Sequence, residues 1–264
     1  EQLGGFRRDE PQLVGGQREE PGARRADRPG GTDDHRLAAQ GTVVVDPINT
    51  DAATWLKENL AQITDQPVTH LIYSNSHGDH ASGGAVLQAP NVIAHTAAPE
   101  TIDGVAPTER FADTKVLEIG GKTLELTHLG PGHGEDMIAV VVRPENVAFI
   151  VDVASPDRLP YQDFGGASID DYIAQIAKAE TLDFEIFAPG HGRIGTPEEV
   201  AENRVYVETL RAGVLEGLKA GKSVEAITAE LTLDDYKDWQ QYADWRPMNI
   251  AGVADYLTKN GLVE

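Results

Sequence analysis

The stretch SNSHGDH, Ser74–His80, places three side chains that can bind a metal ion within four residues: His77, Asp79 and His80. It follows an apolar run, VTHLIY, and precedes small residues and two glycines. Loops at strand ends are where a rigid scaffold presents functional groups. The stretch therefore predicts a buried strand that runs into a loop carrying a metal site.

The same arrangement recurs three times further along the chain. The run LELTHL leads into GPGHG with His133, VAFIV ends on Asp152, and FEIFA leads into PGHG with His191. A single histidine in a turn is more often a surface or capping residue than a ligand, but four such segments together are hard to obtain by chance. Imidazole and carboxylate groups suit Zn²⁺, and also Fe or Mn. The sequence therefore predicts one metal site built from four loops.

Composition and charge restrict the class of partner. The chain has 264 residues and a formal net charge of −21, which argues against nucleic acid because phosphate binding needs clustered Lys and Arg. The charge also disfavours a membrane surface, and no cysteine is present to form disulfides or thiolate zinc ligands. A small molecule is the expected partner, and the oligomeric state is not indicated. No signal peptide is visible, so cytoplasm is the default location.

Residues 1–42 differ from the rest of the chain. They contain seven arginines, no lysine and many Gly and Pro, without strand or helix periodicity, which is typical of a disordered segment. Without their 7 basic and 8 acidic residues, the remainder carries 15 basic against 35 acidic residues. Two interpretations stay open: a natural flexible tail or cloning remnant, and translation from a shifted frame of a GC-rich gene, since such frames are rich in Arg, Gly, Pro and Ala.

From residue 43 the chain alternates strand and helix patterns. Two hairpins are predicted, one around Gly120–Gly121 and one around RPEN at 143–146. A long helix is predicted from Pro197, opened by a capping box of Thr196 and Glu199. Hairpins mixed with helices indicate an antiparallel-rich α/β arrangement. We predict a core at residues 43–195 and a C-terminal helical region at 196–264 that packs on it.

Taken in order, these motifs resemble the metallo-β-lactamase-fold hydrolases, in particular their glyoxalase II-like branch. The motifs are H-x-D-H after a strand, GPGH, an Asp that closes an apolar run, and PGHG, and they span about residues 42–193. The resemblance is specific to the fold but not to a substrate. It implies an α/β (α+β) fold: a four-layer αβ/βα sandwich with the metals at one edge between two sheets, followed by a C-terminal helical extension.

The resemblance also implies a role for each matching residue. Six positions match the family's metal ligands: Asp79, His80 and His191 at one site, His77 and His133 at the other, and Asp152 between them. The first histidine of the family's H-x-H-x-D-H motif is replaced here by Asn75. A neutral amide is a poorer Zn²⁺ ligand than imidazole, so we expect one firmly bound ion and a weak or empty second site. Asp46 resembles the family's acid that supports the ligand loops.

The implied activity is metal-dependent hydrolysis of a small ester, thioester, lactone or amide. A bound Zn²⁺ lowers the pKa of its water toward ~7, and Asp79 is the catalytic residue that orients this water. Four aromatic residues are expected to line the substrate pocket: Tyr161, Phe164, Trp239 and Trp245. Two alternatives stay open. One is a degenerate, weakly active or non-catalytic relative that binds a ligand or partner, and the less favoured one is a β-lactamase-like activity.

Overall fold

The described part of the chain, residues 40–264 of a computed structural model, is built on two β-sheets. Residues 1–39, which make up most of the segment predicted to differ from the rest, lie outside the described residues. The first sheet has four parallel strands in chain order: β1 Thr42–Val45, β2 Val68–Ile72, β3 Asn91–His95 and β4 Glu109–Phe111. The second sheet has five strands in chain order: β5 Thr114–Ile119, β6 Lys122–His128, β7 Ile138–Arg143, β8 Val147–Ile150 and β9 Ile186–Pro189.

Seven α-helices accompany these strands in the described residues: α1 Thr50–Asn59, α2 Gly78–Ala81, α3 Gly84–Leu87, α4 Ile169–Glu180, α5 Pro197–Lys219, α6 Val224–Glu230 and α7 Tyr242–Lys259. Their starts follow from local side chains. Ser168 accepts a hydrogen bond from the Asp171 N–H at the start of α4. The Thr196 N–H donates to the Glu199 carboxylate at 2.8 Å, as expected for the capping box that opens α5.

Alternation along the strands produces four layers. Successive side chains along a β-strand point to opposite faces of the sheet. Ile72 and Ile93 of the first sheet pack with Leu126 and Val140 of the second, forming an apolar layer between the sheets. Leu71 and its neighbours on the opposite face pack against the short helices α1 to α3. The outer face of the second sheet packs against α4, α5 and α7, so the fold is the expected αβ/βα sandwich with a C-terminal helical extension.

The expectation of antiparallel-rich sheets was right for the second sheet and wrong for the first. Strands β5 to β8 are antiparallel neighbours, including both predicted hairpins, and β9 is parallel to β8. Strands β1 to β3, in contrast, are separated by helices, which return the chain to the same sheet end and make the pairing parallel. Strand β4, only three residues long, was not predicted.

The C-terminal helices α5 to α7 continue the outer layer of the second sheet. Helix α5 packs against α4 and α7, and Val207 and Leu210 of α5 are fully buried there. The boundary at residue 195 stays a prediction. None of the helices in residues 40–264 is long and apolar enough to cross a bilayer.

Candidate metal centre

The loops that follow β2, β6, β8 and β9 bring together six side chains that could bind a metal ion. They form two groups that share Asp152: Asp79, His80, Asp152 and His191 in the first, and His77, His133 and Asp152 in the second. We call these the four-residue group and the three-residue group. In each group the ligand atoms lie within 4.8 Å of one another. Loops that are tens of residues apart in sequence thus place their side chains around one carboxylate, that of Asp152.

The four-residue group is tightly clustered around two carboxylates. Asp79 Oδ2 lies 3.5 Å from His80 Nε2 and 3.4 Å from His191 Nε2. Asp152 Oδ2 lies 3.0 Å from His80 Nε2, and its Oδ1 lies 3.3 Å from His191 Nε2. His80 is buried, whereas the Asp79 side chain is 62% exposed and faces the solvent side of the group. One side of the group is therefore accessible to a water molecule or a substrate.

The three-residue group lies on the other side of the same aspartate. Asp152 Oδ2 is 3.5 Å from His133 Nε2 and 4.0 Å from His77 Nδ1. The rings of His77 and His133 meet edge to face with their centroids 4.9 Å apart. Among residues 40–264, two imidazoles and one carboxylate therefore converge here.

The electrostatics around Asp152 differ from one histidine to the next: the Asp152 carboxylate raises the pKa of His77, and at His80 burial acts to lower the pKa but the same carboxylate outweighs it. Burial acts to raise the pKa of Asp152, but the neighbouring imidazoles of His77 and His80 outweigh it and hold the pKa well below its usual range. Burial lowers the pKa of His133 and so favours the neutral imidazole that can bind a metal. Asp152 also adopts a φ of 61°, a left-handed conformation that is uncommon outside glycine and that often marks functional sites.

The residues present fit a divalent metal ion. His80 Nε2 is buried and has no hydrogen-bond partner among the described residues. A buried polar atom without a partner is costly unless something binds it, and this nitrogen points into the four-residue group. Gly190 gives the group its space, since a Cβ there would lie 2.8 Å from His80 Cε1 and 3.2 Å from Asp152 Oδ1. Imidazole nitrogen and carboxylate oxygen are ligands for zinc, iron and manganese.

Asn75 is engaged within its own segment. Its side-chain oxygen accepts a hydrogen bond from the His77 N–H at 2.8 Å, and its nitrogen donates to Ser74 Oγ at 3.1 Å. Ser74 in turn donates from both its N–H and its hydroxyl to the Asp46 carboxylate, at 2.8 and 2.6 Å. Asp46 is buried, which raises its pKa to about 6, and its carboxylate lies 4.0 Å from His80 Nδ1. Asn75 and Asp46 thus support the backbone that carries the ligands.

Three buried amide side chains hold the other loops, and sequence reasoning missed all of them: Gln175 of α4, Asn203 of α5 and Asn249 of α7. Gln175 accepts from the His133 N–H at 2.8 Å and donates to the Gly130 carbonyl at 2.6 Å. Asn203 bonds the backbone N–H and carbonyl of Ser155. The one signal in the sequence for this role was an amide residue among the apolar positions of a predicted helix.

Asn249 holds the loop that follows Asp152. Its nitrogen donates to the carbonyls of Pro160 and Gln162 at 3.0 and 2.5 Å, and its oxygen accepts from the Tyr206 hydroxyl at 2.7 Å. Gly252, one turn further along α7, lets the helix approach closely, since a Cβ there would lie 2.3 Å from the Asp163 carbonyl oxygen. The C-terminal helix therefore shapes the loop beside the metal-binding groups.

A cavity of about 770 Å³ extends from the ligand groups to this loop. Five of the six predicted ligands line it, with His80 buried behind them. The opposite wall includes Tyr161, Phe164 and Trp245, three of the four aromatic residues predicted for the pocket. The rings of Tyr161 and Trp245 meet edge to face at 5.3 Å. The volume is in the range of small-molecule sites.

The prediction that Trp239 lines the pocket was wrong. Its ring is partly buried and packs against the core, with its centroid 5.8 Å from that of Tyr206 and 4.8 Å from that of Tyr236. Trp239 lies in the irregular segment before α7, where no periodicity indicates which way a side chain points. Packing against Tyr206 sets the direction of the Trp239 side chain.

Replacement of Gln175 by leucine is expected to destabilise the protein and weaken metal binding. The change leaves the His133 N–H and the Gly130 carbonyl without their partner, at a cost of about 1–3 kcal/mol for each buried group. Urea unfolding and metal titration of the purified protein measure both effects. Lys178→Leu, at an exposed position of the same helix, is the matched control. Unchanged stability in Gln175→Leu would contradict the assigned role.

Comparison with known proteins agrees with this geometry. The family model of the metallo-beta-lactamase superfamily matches residues 37–191, from before β1 to the last predicted ligand. The metallo-beta-lactamase type 2 of Bacteroides fragilis is 27% identical over 184 residues, which is 66% of this chain and 71% of that protein. The family match therefore covers the strands of both sheets.

Two solved structures show the same fold. A metallo-beta-lactamase from Pontibacter korlensis aligns with a TM-score of 0.55 and 21% identity, covering 65% of this chain and 84% of that one. A double mutant of the sec-alkyl sulfatase PisA1 aligns with a TM-score of 0.65 and 15% identity, covering 85% of this chain and 46% of the sulfatase. The family match extends over more than half of the sequence. The chain belongs to the metallo-beta-lactamase superfamily.

Proposed function

We propose that this protein is a zinc-dependent hydrolase of a small ester, thioester, lactone or amide. The observation that carries the proposal is the pair of ligand groups sharing Asp152 at one end of a cavity of about 770 Å³. Ligands alone would suit a structural ion, but structural sites are closed, whereas these groups border an open cavity. Membership of a superfamily that includes hydrolases supports the same conclusion.

The residues have distinct tasks in this proposal. Asp79, His80, His191 and Asp152 would hold one ion, and His77 and His133 would complete a weaker second position with Asp152. A bound Zn²⁺ supplies Lewis acidity and lowers the pKa of water. The Asp79 carboxylate, the most exposed of the ligand groups, is placed to accept a proton from an attacking water and to orient it. His80 is buried behind the other members of the four-residue group and does not line the cavity, so its task is to hold the ion in position.

The aromatic wall accounts for substrate binding. Tyr161, Phe164 and Trp245 offer apolar surface opposite the ligands, and Tyr172 contributes behind them. A substrate that fills this space would place a carbonyl near Asp79 while its apolar part contacts the aromatic rings. The helices α5 and α7 hold this wall through Asn203 and Asn249, so the substrate site depends on the C-terminal region.

Metal analysis of the protein purified without chelator tests the proposal. We expect about one tightly bound zinc per chain, because one group offers four ligands and the other offers three, one of which, Asp152, they share. Asn75→His is expected to raise the content to about two and to increase hydrolysis of generic aryl esters. Asn260→His, which adds a histidine at an exposed position, is the control. A parent protein without any bound divalent metal would refute the proposal.

A non-catalytic binding protein is the second candidate. Asn75 favours it, because the side chain at the position of the missing histidine is buried and already hydrogen-bonded to Ser74 and His77. This candidate predicts tight metal and ligand binding without turnover of ester, thioester, lactone or amide substrates. A β-lactam reporter should be included in the same assay, since one relative is named as a metallo-beta-lactamase.

A further inference from the structure

Arg158 differs from every other arginine in residues 40–264. This part of the chain contains seven arginines, and six of them donate guanidinium hydrogen bonds to carboxylates, carbonyls or an amide oxygen: Arg110, Arg143, Arg193, Arg204, Arg211 and Arg246. Arg158 makes no such bond with any described residue, and no carboxylate of that part of the chain lies within 4.0 Å of it. The adjacent carboxylate, Asp157, is paired with Arg193 instead.

Arg158 is also placed where a ligand would meet it. It lines the same cavity as the ligand groups, and its guanidinium carbon lies 4.9 Å from the centre of the Trp245 ring. This stacking orients the planar group without using its hydrogen-bond donors. Five N–H donors are therefore held in a fixed orientation beside an aromatic wall.

Charge makes this position stand out further. Outside the two ligand groups, the cavity lining within the described residues contains two charged side chains, Arg158 and Glu135. Glu135 is exposed, whereas Arg158 is partly buried between the loop and Trp245. In a chain with a net charge of −21, an arginine in a pocket wall that has no carboxylate partner among residues 40–264 costs desolvation that a bound anion would recover.

We propose that Arg158 is the anion-recognition residue of the cavity and that the substrate is an amphiphilic carboxylate. The substrate class is an ester, thioester or amide whose acyl part carries a free carboxylate away from the bond that is cleaved. The carboxylate pairs with the Arg158 guanidinium, the apolar part contacts Tyr161 and Trp245, and the cleavable bond reaches the ligand groups. This inference rests on the proposed function for the cleavage step but not for anion binding.

Calorimetric binding of 4-phenylbutyrate and of its neutral amide to the metal-containing protein tests the anion site without any turnover. We expect the carboxylate to bind at least about 10-fold more tightly than the amide, the range for a hydrogen bond to a charged group. Arg158→Met should remove this preference, and Arg158→Lys should keep part of it. Lys122→Met, which removes an exposed charge paired with Glu145, should leave it unchanged.

Two binding results would overturn the proposal. One is equal affinity of the wild-type protein for the carboxylate and the amide. The other is a preference for the carboxylate that persists in Arg158→Met. If chelation of the metal then removed this preference, the metal would be identified as the anion receptor. If Arg158 only packs on Trp245, Arg158→Met should weaken both ligands equally, which also counts against the proposal.

Hydrolysis of two matched esters separates this inference from the proposed function. The mono-4-nitrophenyl ester of glutaric acid and 4-nitrophenyl pentanoate share the leaving group and acyl length and differ in one carboxylate. We expect a kcat/KM about 10- to 100-fold higher for the acidic ester, lost through KM in Arg158→Met. Anion-selective binding without cleavage of either ester would support the anion site and count against ester hydrolysis as the proposed function.

Discussion

Replacement of Asp152 by alanine is expected to weaken metal binding strongly at both ligand groups. Asp152 is the residue that the groups share, and its two oxygens lie 3.0 to 3.5 Å from imidazole nitrogens of His80, His133 and His191. Its removal leaves three ligands in one group and two in the other. For the proposed hydrolase, loss of the several kcal/mol that a metal ion contributes to catalysis corresponds to a fall in kcat/KM of about 1,000-fold or more.

Elemental analysis and thermal unfolding measure this effect directly. Wild-type protein should gain thermal stability on addition of zinc because the ion binds only the folded state, whereas Asp152→Ala should not. Asp113→Ala removes an exposed carboxylate at the start of the second sheet and should behave as wild type. Wild-type metal content in Asp152→Ala would show that the two groups are not the binding site.

Replacement of Gly190 by alanine is expected to weaken metal binding without removing any ligand. A Cβ at this position would lie 2.6 Å from Val151 Cγ1 and 2.8 Å from His80 Cε1, so the buried imidazole must move. Overpacking of this kind costs about 1–3 kcal/mol, and a displaced ligand typically lowers metal affinity by about 10- to 100-fold. Asp152, 3.2 Å from the same Cβ, would move with it.

The same substitution at Gly78 provides the control for Gly190→Ala. Gly78 lies between the ligands His77 and Asp79, but a Cβ there would meet only Ser82 Oγ at 3.8 Å, an ordinary contact. Competition with a chromogenic zinc chelator should therefore show a weakened site for Gly190→Ala and wild-type affinity for Gly78→Ala. Equal affinities for the two variants would contradict the view that the PGHG glycine provides space for His80.

The two predicted hairpins and the long helix followed from local sequence. The turn glycines and the capping box act over a few residues, so their effect does not depend on distant packing. The parallel pairing of the first sheet was less accessible, because strand direction depends on the crossover helices between strands. Strand β4 is three residues long and carries too little periodicity to predict.

The sequence by itself identified the candidate metal ligands, which are imidazoles and carboxylates placed directly after apolar strands. These features depend only on residue type and short-range spacing, so they can be read from the sequence. Only the tertiary structure decided what surrounds them. Gln175, Asn203 and Asn249 hold the loops, Trp239 packs against the core, and Arg158 lines the cavity. Each outcome depends on which way a side chain points and what lies opposite it, and only packing between distant segments sets both.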